Sequence, residues 1–82
     1  MYLQTLNIKS LDLSKECVIK TCMPITISVQ QIGDIYLFKA NKNKIAFVKY
    51  FDNIDCLICF LEEIKSCGVR RYFSRKNYSY FF

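Results

Sequence analysis

Apolar and polar residues alternate with a period of two in the middle of the chain. In residues 25–30, isoleucine or valine occupies every odd position and a polar residue every even one, which predicts a strand with one buried face. Residues 35–40 and 44–51 are apolar at both odd and even positions. Such a pattern is typical of a central strand covered on both sides, and equally of a strand whose second face meets a partner. With residues 41–43 between them, the two segments predict a β-hairpin, because asparagine tolerates the positive φ that such turns need.

A helical period replaces the period of two after residue 52. Five apolar residues then recur at three- and four-residue spacing and form one stripe. They are Ile54, Leu57, Ile58, Leu61 and Ile64. Asp52 or Asn53 is the predicted N-cap, and Gly68 is placed to end the helix. We therefore predict one helix over residues 53–67, packed through this stripe on a sheet.

The two ends of the chain are predicted to be extended. Apolar positions favour a strand over residues 2–8 and a short strand over 17–22, which Pro24 ends. Residues 69–73 and 78–82 favour a final hairpin. The fold predicted from these elements is α+β: a small, mainly antiparallel sheet of four to six strands with one helix on one face.

Length and composition indicate a single domain over residues 1–82. Apolar residues make up 52% of the chain and charged residues 23%, which is typical of globular proteins. So short a chain buries only about 60–65% of its unfolded surface, which favours further burial against a partner or in a homodimer. No apolar run has the roughly 18 residues of a membrane span, and no signal peptide is recognisable. We expect a cytoplasmic protein, in the host cytoplasm if the source is viral.

Five cysteines and no histidine limit the metal and redox chemistry. Cys17 with Cys22, and Cys56 with Cys59, have spacings that can wrap a zinc ion. The same cysteines could instead form a disulfide, or Cys56, close to a helix start, could have a redox role. Against zinc, the second pair lies inside the predicted helix among leucine, isoleucine and phenylalanine. Against a redox role, the chain has no room for a βαβ unit. We therefore predict packing thiols with no metal and no cofactor, and expect Cys59 to be accessible rather than Cys56.

Catalytic chemistry has little support in the sequence. Without histidine, acid–base catalysis would fall to carboxylates, thiols or tyrosines. Capping explains Asp52 and Asp55, and Glu62 and Glu63 lie on the predicted solvent side of the helix. Two glycines are too few for a glycine-rich phosphate loop. We predict that the chain is not an enzyme.

The last fourteen residues concentrate the excess positive charge. Residues 69–82 contain four basic and no acidic residues, and so carry +4 of the net charge of +5. Aromatic residues lie between the basic ones, a combination used by single-strand nucleic-acid binders and by protein interfaces alike. A solvated final hairpin is the third interpretation. The candidate contact residues are Arg70, Arg71, Tyr72, Arg75, Lys76, Tyr78 and Tyr80.

By elimination, the sequence predicts a small non-enzymatic binding protein. Residue types with AT-rich codons (Ile, Lys, Phe, Tyr and Asn) account for 37 of the 82 residues, which points to an AT-rich bacterium, phage, plasmid or virus, and a small basic domain suits an accessory protein of a phage, virus or mobile element. We therefore expect an accessory or inhibitor protein that binds a host protein or ribonucleoprotein, such as a defence nuclease or CRISPR effector; this rests on analogy. The alternative is direct binding of RNA or single-stranded DNA through the basic-aromatic C-terminal segment.

Overall fold

A four-stranded antiparallel sheet with helices on one face forms the architecture of this computed structural model, which describes residues 2–21 and 24–75. The strands are β1 (Cys17–Lys20), β2 (Thr26–Ile32), β3 (Ile35–Lys42) and β4 (Ile45–Phe51), and they pair in the order β1-β2-β3-β4. Two helices follow, α1 (Ile54–Cys67) and the shorter α2 (Val69–Arg75). The predicted small α+β fold is confirmed.

Two tight turns join β2 to β3 and β3 to β4. Each is a two-residue loop whose first residue has positive φ: Gly33 at 61° and Asn43 at 56°. Glycine and asparagine tolerate this conformation, which the favoured hairpin turns require. The hairpin predicted across residues 41–43 is confirmed, but its turn lies later. β3 continues through Lys42, so only Asn43 and Lys44 leave the ladder.

Alternation along the strands sends one set of side chains into the core. The buried members of this set include Ile19, Ile27, Val29, Phe38 and Ala40. Helix α1 packs against this face, over β3 and β4. The core therefore lies between the sheet and α1. The predicted buried face of β2 is confirmed by Ile27 and Val29, but Ser28 on its other face is also buried, at 9% exposed.

The ends of α1 follow the predicted capping. Asn53 is the N-cap, and its side chain accepts a hydrogen bond from the Asp55 N–H at 2.7 Å. Gly68, with φ of 92°, ends the helix and donates its N–H to the Ile64 carbonyl at 2.8 Å. Only glycine adopts such a φ readily. None of the described helices is long and apolar enough to cross a membrane.

The predicted apolar stripe of α1 is buried from Leu57 onward but not in its first residue. Leu57, Leu61 and Ile64 are almost fully buried, and Ile58 is partly buried. Ile54, in the first turn, remains 41% exposed. The stripe therefore identifies the packed face of the helix, while its first residue lies at the margin of the core.

An aromatic cluster connects both helices to β3 and β4. Phe60 of α1 lies edge-on to Phe38 of β3, with ring centroids 4.8 Å apart. Phe73 of α2 meets Phe47 of β4 at 5.2 Å, and Phe60 meets Tyr72 of α2 at 5.5 Å. Edge-to-face pairs at these separations are favourable beyond the area they bury. The cluster thus holds α2 on the same side of the sheet as α1.

Two short 3-10 turns, Leu3–Thr5 and Ile8–Ser10, replace the strand predicted over residues 2–8, so that prediction is wrong. A 3-10 helix has three residues per turn. Leu3 and Leu6, three residues apart, are both buried against the core. The apolar spacing in this segment therefore reflects a three-residue period rather than the alternation of a strand.

Helix α2 replaces the strand predicted over residues 69–73, so this prediction is also wrong. Its buried residues are Val69, Tyr72 and Phe73. They follow the i, i+3, i+4 spacing of one helical face, whereas a strand would bury alternate residues. The second half of the predicted final hairpin, residues 78–82, lies outside the described residues.

Candidate interaction surface

Among the described residues, the sheet face opposite α1 keeps large apolar side chains exposed. Five of them are between 38% and 62% exposed. They are Val18, Ile32, Ile35, Val48 and Tyr50. Isolated apolar residues are common on protein surfaces, but a contiguous apolar patch with a polar rim marks an interaction site.

The strand register brings four of these residues together with Leu37 and leaves Val18 apart. Ile32 lies opposite Ile35, and Leu37 lies opposite Tyr50. Val48 is two residues from Tyr50 on the same strand. One row crosses all four strands and contains Val18, Ser28, Lys39 and Val48. Directly opposite residues on neighbouring strands have Cβ atoms about 4.5–5.5 Å apart, so their side chains touch. We call this surface the open face and define it by its outward-pointing strand residues. They are Val18, Lys20, Thr26, Ser28, Gln30, Ile32, Ile35, Leu37, Lys39, Asn41, Ala46, Val48 and Tyr50.

The strands and helix α1 differ in the charge of their side chains. The four strands contain four lysines and no acidic residue. Lys20 and Lys39 lie on the open face, because they alternate with residues of the core face. Helix α1, on the other side of the sheet, exposes Asp55, Glu62 and Glu63. The open face therefore combines an apolar patch on β2, β3 and β4 with uncharged polar residues and a weak positive charge.

The structure separates the candidate residues of the C-terminal segment. Arg70 and Arg71 are exposed on α2. Tyr72 is only 6% exposed, with its ring against Phe60 and Phe73, so it does not contribute to the exposed surface of α2. The side chain of Arg75, together with Lys76, Tyr78 and Tyr80, lies outside the described part of the chain. Arg70 and Arg71 thus form a small basic surface on the helix side, distinct from the open face.

The cysteines of the described residues differ in exposure. Cys56 and Cys59 are both exposed on α1, whereas Cys17 and Cys67 are partly buried. We expected Cys59 to be accessible and Cys56 not to be. Cys59 is exposed as expected, but Cys56 is exposed too, so the expectation is wrong for Cys56. Within residues 2–21 and 24–75, no group of three or more potential ligands is arranged to hold a metal ion. Cys22, of the spacing Cys17–Cys22, is not among these residues.

The thiol of Cys17, the first residue of β1, contacts the short polar segment that precedes the strand. Its Sγ donates to the Asp12 carbonyl oxygen at 2.9 Å. Burial raises the pKa of Cys17, and the nearby Asp12 carboxylate raises it further. Since the thiolate is the nucleophile, a raised pKa lowers the reactive fraction at neutral pH.

Alkylation with iodoacetamide at pH 7.5 is therefore expected to modify Cys56 and Cys59 faster than Cys17. Peptide mass spectrometry with isotope-coded reagent gives the rate at each thiol. The same measurement in denaturant is the control and should bring the rates together. If native Cys17 reacted as fast as Cys59, the described burial of Cys17 would be incorrect.

Comparison with known proteins gives no match: no family model, no curated protein and no solved structure is similar to this chain. Two surfaces of the described residues are candidates for binding, the open face and the Arg70–Arg71 pair on α2.

Proposed function

We propose that this protein is a small non-enzymatic binding protein that presents the open face of its sheet to another protein. The observation that carries this proposal is the patch of exposed apolar side chains on β2, β3 and β4, among them Ile32, Ile35 and Tyr50. Apolar surface removed from water contributes about 25 cal/mol per Å². A partner that covers this face would therefore be stabilised largely by apolar burial.

The chemistry of the partner follows from the charges on the open face. Lys20 and Lys39 lie among its apolar residues, and no acidic residue of the strands accompanies them. Complementary potentials speed association and set the register of an interface. The partner proposed here is a protein with an apolar patch bordered by carboxylates.

A binding role agrees with the shortage of catalytic groups in the sequence. The chain has no histidine, and the exposed carboxylates Asp55, Glu62 and Glu63 lie on α1, away from the open face. With the AT-rich residue bias, this supports a cytoplasmic accessory or inhibitor protein of a phage, virus or mobile element. Its target would be a host protein or ribonucleoprotein.

Binding of RNA or single-stranded DNA is the second candidate, favoured by the exposed Arg70 and Arg71. Open antiparallel sheets also bind single strands, usually by stacking two or three bases on aromatic rings. Each stacked base contributes about 1–3 kcal/mol. In the described part of the chain, the open face offers one ring, Tyr50, so we favour the protein partner.

The experiment compares two charge variants that each change the net charge by the same amount. Lys20→Glu/Lys39→Glu reverses the charge of the open face. Lys9→Glu/Lys15→Glu is the matched control, because both residues are exposed and neither belongs to the sheet. Circular dichroism confirms that each variant is folded. Binding partners are captured from nuclease-treated host lysate, and the affinity of the captured protein is then measured with purified components.

The proposal predicts that one protein binds the wild type and the control, with affinity reduced about tenfold or more by the open-face variant. Equal affinity for all three would remove the open face from consideration. If nuclease abolishes capture, a labelled single-stranded 20-mer is titrated. Binding that weakens steeply with salt, and weakens again in Arg70→Glu/Arg71→Glu, would establish the nucleic-acid function instead.

A further inference from the structure

The sheet ends at β4 in an edge with which no described strand pairs. This edge is seven residues long. The opposite edge, β1, has only four residues, and Tyr2 forms a backbone bridge to its end at Lys20. A long edge strand offers a row of unpaired N–H and C=O groups to another chain. The sheet is therefore more exposed to strand addition at β4 than at β1.

The hairpin geometry identifies the backbone groups that face this edge. In a two-residue hairpin, the residues that close the turn form a hydrogen-bonded pair. Here that pair is Lys42 and Ile45. Because hydrogen-bonded residues alternate along an antiparallel strand, Ala46, Val48 and Tyr50 direct their N–H and C=O groups away from β3. Pairing with a further strand would use these three residues.

We infer that the strand added here is β4 of a second copy of this chain, antiparallel to the first, with the two Val48 residues facing each other across a two-fold axis. This inference is independent of the partner proposed for the open face. Residues equally far from Val48 then lie opposite one another. Tyr50 faces Ala46 of the second copy, so that on each side a large side chain meets a small one. All seven residues of β4 are paired.

The charges next to β4 complement each other in this register. Lys44 precedes the strand and Asp52 follows it, and both are exposed. Around Val48 they are equally distant, so Lys44 of each copy faces Asp52 of the other. The two-fold axis repeats this pair at both ends of the interface. Because β4 has opposite charges at its two ends, two copies of it bring opposite charges together only when they pair antiparallel.

Lys49 disfavours the neighbouring registers. With Val48 on the axis, Lys49 faces Phe47 of the second copy, and its Nζ already lies 5.4 and 5.1 Å from the ring centroids of Phe51 and Phe60. Moving the axis to Lys49 would set two lysines directly opposite, which is destabilising. Moving it to Phe47 would pair only residues 45–49.

Charge exchange tests the register. Lys44→Asp alone, or Asp52→Lys alone, places like charges at both ends of the interface and should weaken dimerisation about tenfold, as measured by sedimentation equilibrium. The double variant Lys44→Asp/Asp52→Lys restores opposite charges and should recover the wild-type affinity. Asp34→Lys is the control. It makes the same substitution as Asp52→Lys, but in the turn between β2 and β3, so it should leave the dimer affinity unchanged.

Amide hydrogen exchange on the wild type tests the edge without any substitution. As concentration rises from micromolar to millimolar, the amides of Ala46, Val48 and Tyr50 should become protected. Those of Phe47 and Lys49 should be protected throughout, since they bond to β3. A strict monomer at millimolar concentration would overturn the inference. A dimer in which the amides of Ala46, Val48 and Tyr50 still exchange freely would also overturn it. So would a failure of Lys44→Asp/Asp52→Lys to recover the wild-type dimer affinity.

Discussion

Phe38→Ala is expected to lower the free energy of unfolding by about 3–5 kcal/mol. Phe38 is fully buried in β3, and its ring centroid lies 4.8 Å from that of Phe60 and 6.1 Å from that of Phe47. The change loses the transfer free energy of the ring, leaves a cavity and removes two edge-to-face contacts worth about 0.5–1.5 kcal/mol each. Domains are stable by only about 5–15 kcal/mol, so the variant should be close to its unfolding limit.

Tyr50→Ala is the matched control for this substitution. Tyr50 is also aromatic and lies on the adjacent strand, but it is 62% exposed on the open face. Its replacement should cost less than about 1 kcal/mol, as for a surface change. Urea denaturation followed by circular dichroism gives both values. If Tyr50→Ala lowered the free energy of unfolding more than Phe38→Ala did, the buried and exposed faces of the sheet would be the reverse of those described.

Leu61→Ala is expected to cost about 2–5 kcal/mol. Leu61 lies in the middle of α1 and is almost fully buried against the sheet. Alanine keeps the helix propensity high, so the loss reports the packing of the apolar stripe rather than the stability of the helix itself. The same urea titration measures it.

Ile54→Ala tests whether the loss in free energy of unfolding depends on how deeply a residue of the stripe is buried. Ile54 belongs to the same stripe but is 41% exposed in the first turn of α1. Part of its lost burial is offset by the better helix propensity of alanine. We expect a loss below about 1 kcal/mol. Equal losses for Ile54 and Leu61 would contradict the described position of α1 on the sheet.

The central hairpin and α1 could be predicted because several local signals agreed there. Around α1 the 3.6-residue period, the Asn53 cap and Gly68 all indicated the same boundaries. Around the β3–β4 turn, the alternating pattern fixed the strands, and Asn43 supplied the positive φ. Only the exact turn position was missed, because asparagine occurs at both 41 and 43 and either one suits a turn.

The ends of the chain could not be predicted because their local preferences conflict with their packing. Tyr72 and Phe73 favour strands by propensity, yet both are buried in α2. Their spacing from Val69 fits a helical face, but a seven-residue helix is too short for periodicity alone to identify it. The contacts that hold α2 on the core are tertiary, such as the rings of Phe73 on Phe47 and of Tyr72 on Phe60, and the local sequence does not specify them.

The candidate surface was only partly visible in the sequence. Two-sided apolar patterns at residues 35–40 and 44–51 indicated that both faces of the sheet are apolar enough to be covered. They did not indicate which of the two faces α1 covers and which one is left for a partner. Tyr72 illustrates the same limit, since an aromatic residue beside two arginines looks like a contact residue until the core is known.

The order of the strands has a consequence for how quickly the protein folds. Strands β1 to β4 pair in the same order in which they occur along the chain, and two of the three connections are two-residue turns. Closing a short loop costs less conformational entropy than closing a long one. Domains whose contacts are local in sequence fold faster than those whose strands pair across the chain. During synthesis, the hairpins can therefore form as soon as they emerge, before α1 is available to cover the core face.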